Sequence, residues 1–227
     1  MSKYLYIFDM DETLVDGDCS MLWNQYLVDE GYVDIPNFLD IDKELMARYA
    51  RGEMDMEEYL DFVMQPLSDI PTESVDTMLY DFVERYVSPR VYEEAKTLIH
   101  SLKNTSNDML IISATASFIV SKVAKSLGIA QSLGIDMVVD NNRYTSKVDG
   151  VPSYREGKIT RLEMWLQQKS DEYEGLHFFT DSINDLPLCN YADRVYLVNP
   201  CEKLKQAAQG KNWQTYAWSK TALSCAK

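Results

Sequence analysis

Two carboxylates, Asp9 and Asp11, stand two residues apart where the apolar run Tyr4 to Phe8 ends. Residues i and i+2 of a strand face the same side, so the pair projects into one crevice. Carboxylates that close repel each other. The arrangement is stable only if a cation offsets part of the charge or one group stays protonated as a usable acid. Either outcome equips a site for phosphate-ester chemistry.

A second acidic cluster follows another apolar run: Leu176, Phe178 and Phe179 lead into Asp181-Ser182-Ile183-Asn184-Asp185. Two Asp four residues apart with Asn between them are hard oxygen donors suited to Mg²⁺, which takes few carboxylates plus waters and substrate phosphate. An Asx-turn at a helix start explains Asp181 equally, but leaves Asn184 and Asp185 unaccounted for. Ser113 follows Leu110-Ile111-Ile112 and precedes a helix, where a hydroxyl and adjacent amides can hold phosphate oxygens or merely cap the helix. Lys158 precedes the helical stripe Ile159, Leu162, Trp165 and Leu166. A cation in the first turn opposes the helix dipole by about a few tenths of a kcal/mol, so Lys158 gains a reason if it meets a phosphate; a solvated surface lysine is the plain alternative.

The elements that must position these groups alternate. Strand Tyr4 to Phe8, strand Asp108 to Ile112, a short strand Met137 to Val139, strand Leu176 to Phe179 and strand Arg194 to Val198 are separated by helices near 91–102, 118–127, 156–168 and 200–209. That rhythm belongs to an α/β fold, a three-layer Rossmann-like parallel sheet whose loops gather along the carboxyl edge. Tyr144 to Val151, with Asp149-Gly150 turn chemistry, reads as a small hairpin or irregular excursion. From Met21 to Arg85 helical spacing dominates, as in Leu22, Tyr26 and Leu27 or Tyr59, Leu60, Val63 and Met64, and Pro36, Pro66, Pro71 and Pro89 break it into short helices. Residues 16–88 are therefore expected to form a helical cap inserted after the first strand, with residues 1–15 and 89–227 as the core. The tail beyond Trp218 is expected to be loosely held.

Composition sets the boundaries. A chain of 227 residues, 46% hydrophobic, can bury one large domain with an insertion. A net charge of −14 argues against a nucleic-acid backbone or an anionic membrane as partner and favours a small molecule. If that molecule is an anion, the positive charge must be local. Cys19, Cys189, Cys201 and Cys225 form no Cys-x-x-Cys pair and read as reduced thiols. With no export signal and no membrane-length apolar run, the cytoplasm is the expected compartment. Oligomeric state leaves no trace in the sequence.

In order, Asp-x-Asp-x-Thr, strand-Ser, Gly-Lys and Asp-x-x-x-Asp resemble the haloacid dehalogenase superfamily of phosphohydrolases, over essentially the whole chain. The insertion after the first motif resembles that superfamily's C1 cap. Gly157-Lys158, the segment Gly52-Glu53-Met54-Asp55 and Asp181-Ser-x-Asn-Asp-Leu-Pro are similar to its phosphoserine-phosphatase-like subfamily IB. The resemblance implies a Mg²⁺-dependent phosphatase of a small phosphorylated metabolite: Asp9 forms an aspartyl-phosphate and Asp11 serves as acid and base. It further implies that Asp9, the Asp11 carbonyl and Asp181 hold Mg²⁺, that Asn184 and Asp185 orient that shell, that Ser113 and Lys158 bind the phosphoryl oxygens, and that Thr13 supports the loop. Three departures concern the substrate. Glu12 replaces a small residue, Ser113-Ala114-Thr115-Ala116 lacks the usual glycine pair, and Tyr59 to Met64 lacks the arginine that receives a substrate carboxylate. Asp18 stands where those enzymes receive the substrate amine, or is a solvated loop residue. Specificity is expected from cap side chains such as Trp23, Tyr26 and Met56. A phosphotransferase or mutase sharing the intermediate, a phosphate-accepting receiver and a silent scaffold are the alternatives; a receiver is about half this length.

Overall fold

A computed structural model describes residues 3–51, 56–170 and 172–220, with the side chains of 49–51 and 56 outside it. The segment Gly52-Glu53-Met54-Asp55 and the Met56 side chain therefore lie outside the described residues. β1 (Tyr4–Phe8) is apolar on both faces, and its burial explains why: Leu5 and Ile7 enter one hydrophobic layer, Phe8 the other. It pairs in parallel with β2 (Asp108–Ala116) on one side and β6 (Gly175–Thr180) on the other. With β3 (Gln131–Ile135), β7 (Arg194–Val198) and β8 (Gln214–Tyr216), the parallel sheet runs β3-β2-β1-β6-β7-β8. α7 (Glu156–Gln167), α8 (Leu186–Tyr191) and α9 (Glu202–Ala207) cover the Leu5 face. α5 (Glu93–Lys103) and α6 (Ser117–Leu127) cover the other. The result is the anticipated three-layer α/β fold.

Between β1 and β2 run α1 (Cys19–Asp29), α2 (Phe38–Arg51), α3 (Met56–Val63) and α4 (Thr72–Phe82), the last followed by a π-helical turn at Val83–Val87. The apolar faces of α1, α3 and α4 join the cluster that contains Phe8 and Phe118, while α2 packs on α3 through Phe38 and Phe62, so insertion and sheet share one core. A small antiparallel hairpin, β4 (Met137–Asp140) with β5 (Arg143–Val148), leaves the main sheet and meets this insertion: Thr72 N donates to Asn142 O at 2.9 Å, and Ser146 Oγ donates to Asp61.

Four expectations need correction. β2 runs on to Ala116 through a register shift, so Ser113 lies within the strand instead of between strand and helix. The hairpin turns at Asn141 and Asn142, both with positive φ (46° and 62°), not at Asp149-Gly150. The strands β3 and β8 have no counterpart in the sequence reading. Of the tail beyond Trp218, Ser219 and Lys220 are tied down, since Trp218 N donates to Asn199 Oδ1 at 2.9 Å and Ser219 N to Glu94 Oε1 at 3.0 Å, while residues 221–227, Cys225 among them, lie outside the described residues. Cys19 and Cys189 are buried free thiols, and Cys201 is an exposed one. Among the described residues no helix is long and apolar enough to cross a membrane.

Candidate active site

The ladder that centres β1 also aligns three strand ends. Phe8 lies opposite Ile111 and Phe179, and Asp9 N donates to Phe179 O at 2.9 Å. Asp9, the Ser113 region and Asp181 thereby emerge side by side at the carboxyl edge. Asp9 Oδ1 accepts from Lys158 Nζ at 2.8 Å, and the same ammonium lies 2.7 Å from Asp185 Oδ1. Asp185 is anchored in turn by Thr180 Oγ1 at 2.7 Å. Thr13 Oγ1 reaches both Asp9 Oδ2 (3.4 Å) and Asp181 Oδ1 (3.2 Å), so a single hydroxyl spans the two acidic loops.

Asp11 has a different environment. Its Oδ2 accepts from Ser113 Oγ at 3.1 Å and Thr115 Oγ1 at 2.8 Å, and its Oδ1 from Cys19 N at 2.7 Å. Ser113 and Thr13 are wholly buried and brace the carboxylates from behind. Asp18 is not a solvated loop residue: it caps α1, accepting from Met21 N at 2.9 Å. Asn184 lies at the rim, accepting from Tyr154 Oη at 3.4 Å. Thr115 and Ser20, whose hydroxyls meet at 3.3 Å, were missed by the sequence reading. Alternation along a longer β2 puts Thr115 on the same side as Ser113 and would have found it.

Lys158 is 3% exposed, so the surface alternative is excluded. Its backbone is set by a tight entry to α7: Arg155 has φ 51°, and a Cβ on Gly157 would stand 2.0 Å from Pro152 O. Gly157→Ala must therefore push α7 and Lys158 off position. We expect a stability loss of about 1–3 kcal/mol in urea denaturation, with reduced turnover.

Charge in this site is unbalanced. Burial, outweighing Lys158, and then the neighbouring Asp185, Asp181 and Asp11 hold the Asp9 carboxyl well above the ordinary range. Burial and Asp185 push Asp181 up to about 7. Burial and Asp11 do the same for Asp18. Burial alone would lower Lys158, but Asp185 and Asp9 raise it above its usual value and keep it charged. One lysine thus faces several carboxylates, a donor set that accepts a further hard cation. Among the described residues no three His, Cys, Asp or Glu side chains gather as a metal cage. The expected set has only two carboxylates, Asp9 and Asp181, and a main-chain oxygen, which suits a cation that keeps its waters and takes substrate phosphate.

These carboxylates form one end of a cavity of about 310 Å³ whose other end is apolar, with Leu60, Met64, Phe118, Ile119 and Met137 among its walls. Trp23 lines it, while Tyr26 lies behind, its ring 5.2 Å from that of Trp23. Lys158 is the sole cation lining it among the described residues.

A parallel α/β sheet with two acidic loops and a buried lysine converging on a cavity defines a hydrolase of phosphatase type. Residues 6–189 match the model of the haloacid dehalogenase-like hydrolases, and the chain belongs to that family. It is 33% identical over 215 residues to a histidinol-phosphatase of Neisseria meningitidis serogroup C (strain 8013), spanning 93% of this chain and 97% of that one. A phosphoserine phosphatase of Archaeoglobus fulgidus is 25% identical over 208 residues, 92% of this chain and 56% of that one. A solved structure of a protein of unknown function from Bordetella pertussis Tohama I matches with a TM-score of 0.88 at 27% identity, covering 96% of this chain and 99% of that one.

Proposed function

We propose that the chain is a Mg²⁺-dependent phosphomonoester hydrolase working through an aspartyl-phosphate on Asp9, with residues 16–88 as a cap over the site. The supporting observation is the buried Asp9-Lys158-Asp185 chain, joined through Thr13 to Asp181, at the end of the central strand. An Asp9 carboxylate oxygen attacks phosphorus, the bond to the leaving oxygen breaks, and Asp11 supplies that oxygen with a proton. Asp11 then takes a proton from water as its oxygen attacks the same phosphorus, freeing phosphate and Asp9. Ser113 and Thr115 suit that exchange, because a hydroxyl can turn from donor to acceptor when Asp11 gains a proton. Lys158 offsets the approach of anion to anion, a repulsion on the order of 4 kcal/mol per pair of unit charges at ~4 Å and an effective dielectric near 20. Asp9, the Asp11 carbonyl and Asp181 would hold Mg²⁺, which supplies further neutralising charge at the phosphoryl group. Asp185 and Asn184 steady this arrangement and Lys158 serves the phosphoryl oxygens, whereas Ser113, expected from the sequence to share that role, is wholly buried and holds Asp11 instead.

Chelation with EDTA is expected to lower hydrolysis by at least ~100-fold, with recovery on adding excess Mg²⁺. Full activity in EDTA would refute the metal requirement.

The substrate follows from what the cavity lacks. With Lys158 committed to Asp9 and Asp185, no second cation among the described residues lines the cavity to receive a carboxylate, whereas Asp18 lines it and can receive an ammonium. An amino-alcohol phosphate fits these terms, and histidinol phosphate, after which the Neisseria relative is named, is one. We expect kcat/KM for histidinol phosphate to exceed that for phosphoserine by at least ~100-fold, the buried unpaired carboxylate of phosphoserine being the cause. Equal rates in a side-by-side assay would discard the assignment.

A further inference from the structure

The sheet ladder that fixes Asp9 stops short of Asp11. Asp9 N still donates to Phe179 O at 2.9 Å, and the Asp9 carboxylate is held by Lys158 and Thr13. Asp11 lies beyond that support, in a tight turn over residues 10–17 in which Leu14 N and Val15 N donate to Met10 O and Glu12 N donates to Gly17 O at 3.2 Å. A small shift of this turn moves the Asp11 carboxylate off Ser113 Oγ and Thr115 Oγ1. Within the turn Glu12 has a φ of 54°, which a non-glycine residue keeps only where its surroundings hold it. Glu12 and Asp16 also add two negative charges to a short segment that already carries Asp9 and Asp11.

The counter-charge comes from the far end of the chain. Lys220 Nζ lies 2.7 Å from Asp16 Oδ1 and 3.2 Å from Glu12 Oε2, so one ammonium bridges both arms of the turn. An ion pair between two exposed side chains contributes little, but Asp16 is 3% exposed and the approach of Lys220 is built. Trp218 N donates to Asn199 Oδ1 at 2.9 Å, Asn199 Nδ2 donates back to Trp218 O at 3.2 Å, and Ser219 N donates to Glu94 Oε1 at 3.0 Å. The Trp218 ring meets that of wholly buried Tyr92 edge-on at 5.7 Å. Tyr92 Oη in turn accepts from Lys220 Nζ and donates to Asp16 Oδ1, each at 3.2 Å. We infer that Lys220 is a positioning residue for the acid of the reaction: by bridging Glu12 and Asp16 it holds the turn in the form that presents the Asp11 carboxyl to the leaving oxygen. The inference deepens the phosphatase assignment and rests on it for the role of Asp11. Since Asp9 is fixed by the sheet and by Lys158, losing Lys220 weakens proton donation more than nucleophilic attack.

Two esters of similar size separate these steps. Benzyl phosphate expels an alkoxide that needs a proton, whereas 4-nitrophenyl phosphate expels a stabilised phenolate that needs none. With the full chain and Mg²⁺ present, Lys220→Met should lower kcat/KM for benzyl phosphate by at least ~10-fold, part of the ~10²–10⁴-fold that a well-placed acid supplies. For 4-nitrophenyl phosphate the loss should stay within about threefold, because the nucleophile remains in place. Lys220→Arg, which keeps a cation in a half-exposed position, should hold both esters within about threefold of the unmodified protein. An equal fall for the two esters in Lys220→Met would mean that the tail supports the site as a whole and would overturn the inference; so would no fall at all. Should Lys220→Met fail to fold, Glu12→Gln cuts the other arm of the bridge at a carboxylate 46% exposed, and the same comparison of esters decides. Inactivity of the unmodified protein toward both esters would instead remove the phosphatase assignment beneath the inference, a result read before any variant is made.

Discussion

Replacing Asp9 by Asn is expected to abolish turnover, with kcat falling by ~10⁴-fold or more, because the amide keeps the shape but has no oxygen able to carry the phosphoryl group. The variant should nonetheless fold. Asp9 is a buried carboxyl raised by burial and by Asp185, Asp181 and Asp11, so removing its charge relieves repulsion, while Lys158 keeps Asp185 at 2.7 Å. Its melting temperature is expected to match or exceed that of the unmodified protein. Single-turnover hydrolysis beside a thermal melt reads both effects, and a folded Asp9→Asn protein at full speed would refute the nucleophile.

Lys158→Met should have the opposite profile in stability. The substitution leaves Asp9 and Asp185, 6% and 1% exposed, facing each other without a cation. Breaking a buried ion pair from one side costs about 3–5 kcal/mol, more than the loss of a surface pair. Turnover is expected to fall by ~10³-fold as well, since the developing charge on the phosphoryl group loses a fixed counter-charge. Urea denaturation without metal measures the first effect. Added Mg²⁺ should recover part of the stability but little of the rate. A Lys158→Met protein as stable as the original would mean that Asp9 and Asp185 are held apart by something other than this ammonium.

What the sequence revealed and what it hid divide along a physical line. Asp9, Asp11 and Asp181 were legible because each follows an apolar run whose end marks a strand end, and position along a parallel strand fixes position along the sheet edge. Lys158 was legible because a cation opposes the helix dipole where it stands. Thr115 was hidden because β2 continues past its apolar stretch through a register shift. β3 was hidden because Gln131, Ser132 and Gly134 have little strand propensity; the strand forms by pairing with β2, with Gly134 admitting a close approach to Thr115 O and Ser117. Lys220 was the most remote: its Nζ lies 2.7 Å from Asp16 and 3.2 Å from both Glu12 and Tyr92, across more than 200 residues of chain in the first two cases. No local pattern announces such a contact. It also bears on Glu12, the departure noted in the first motif, whose φ of 54° is a left-handed conformation that a non-glycine residue holds only with support.

The central place of β1 shapes how the molecule comes into being. One of its edges waits for β2 and the other for β6, so the strand made first is completed by the strand that ends at Thr180. At synthesis rates of roughly 5–20 residues per second, the two acidic loops are separated by on the order of 10 to 30 seconds of translation. During that interval an apolar ribbon with at least one side unmatched depends on temporary shelter, from the growing helical layer or from a chaperone. Ribosome-bound chains halted before β6 emerges should therefore be protease-sensitive at β1, and become resistant there only once residues 175–180 are free to join.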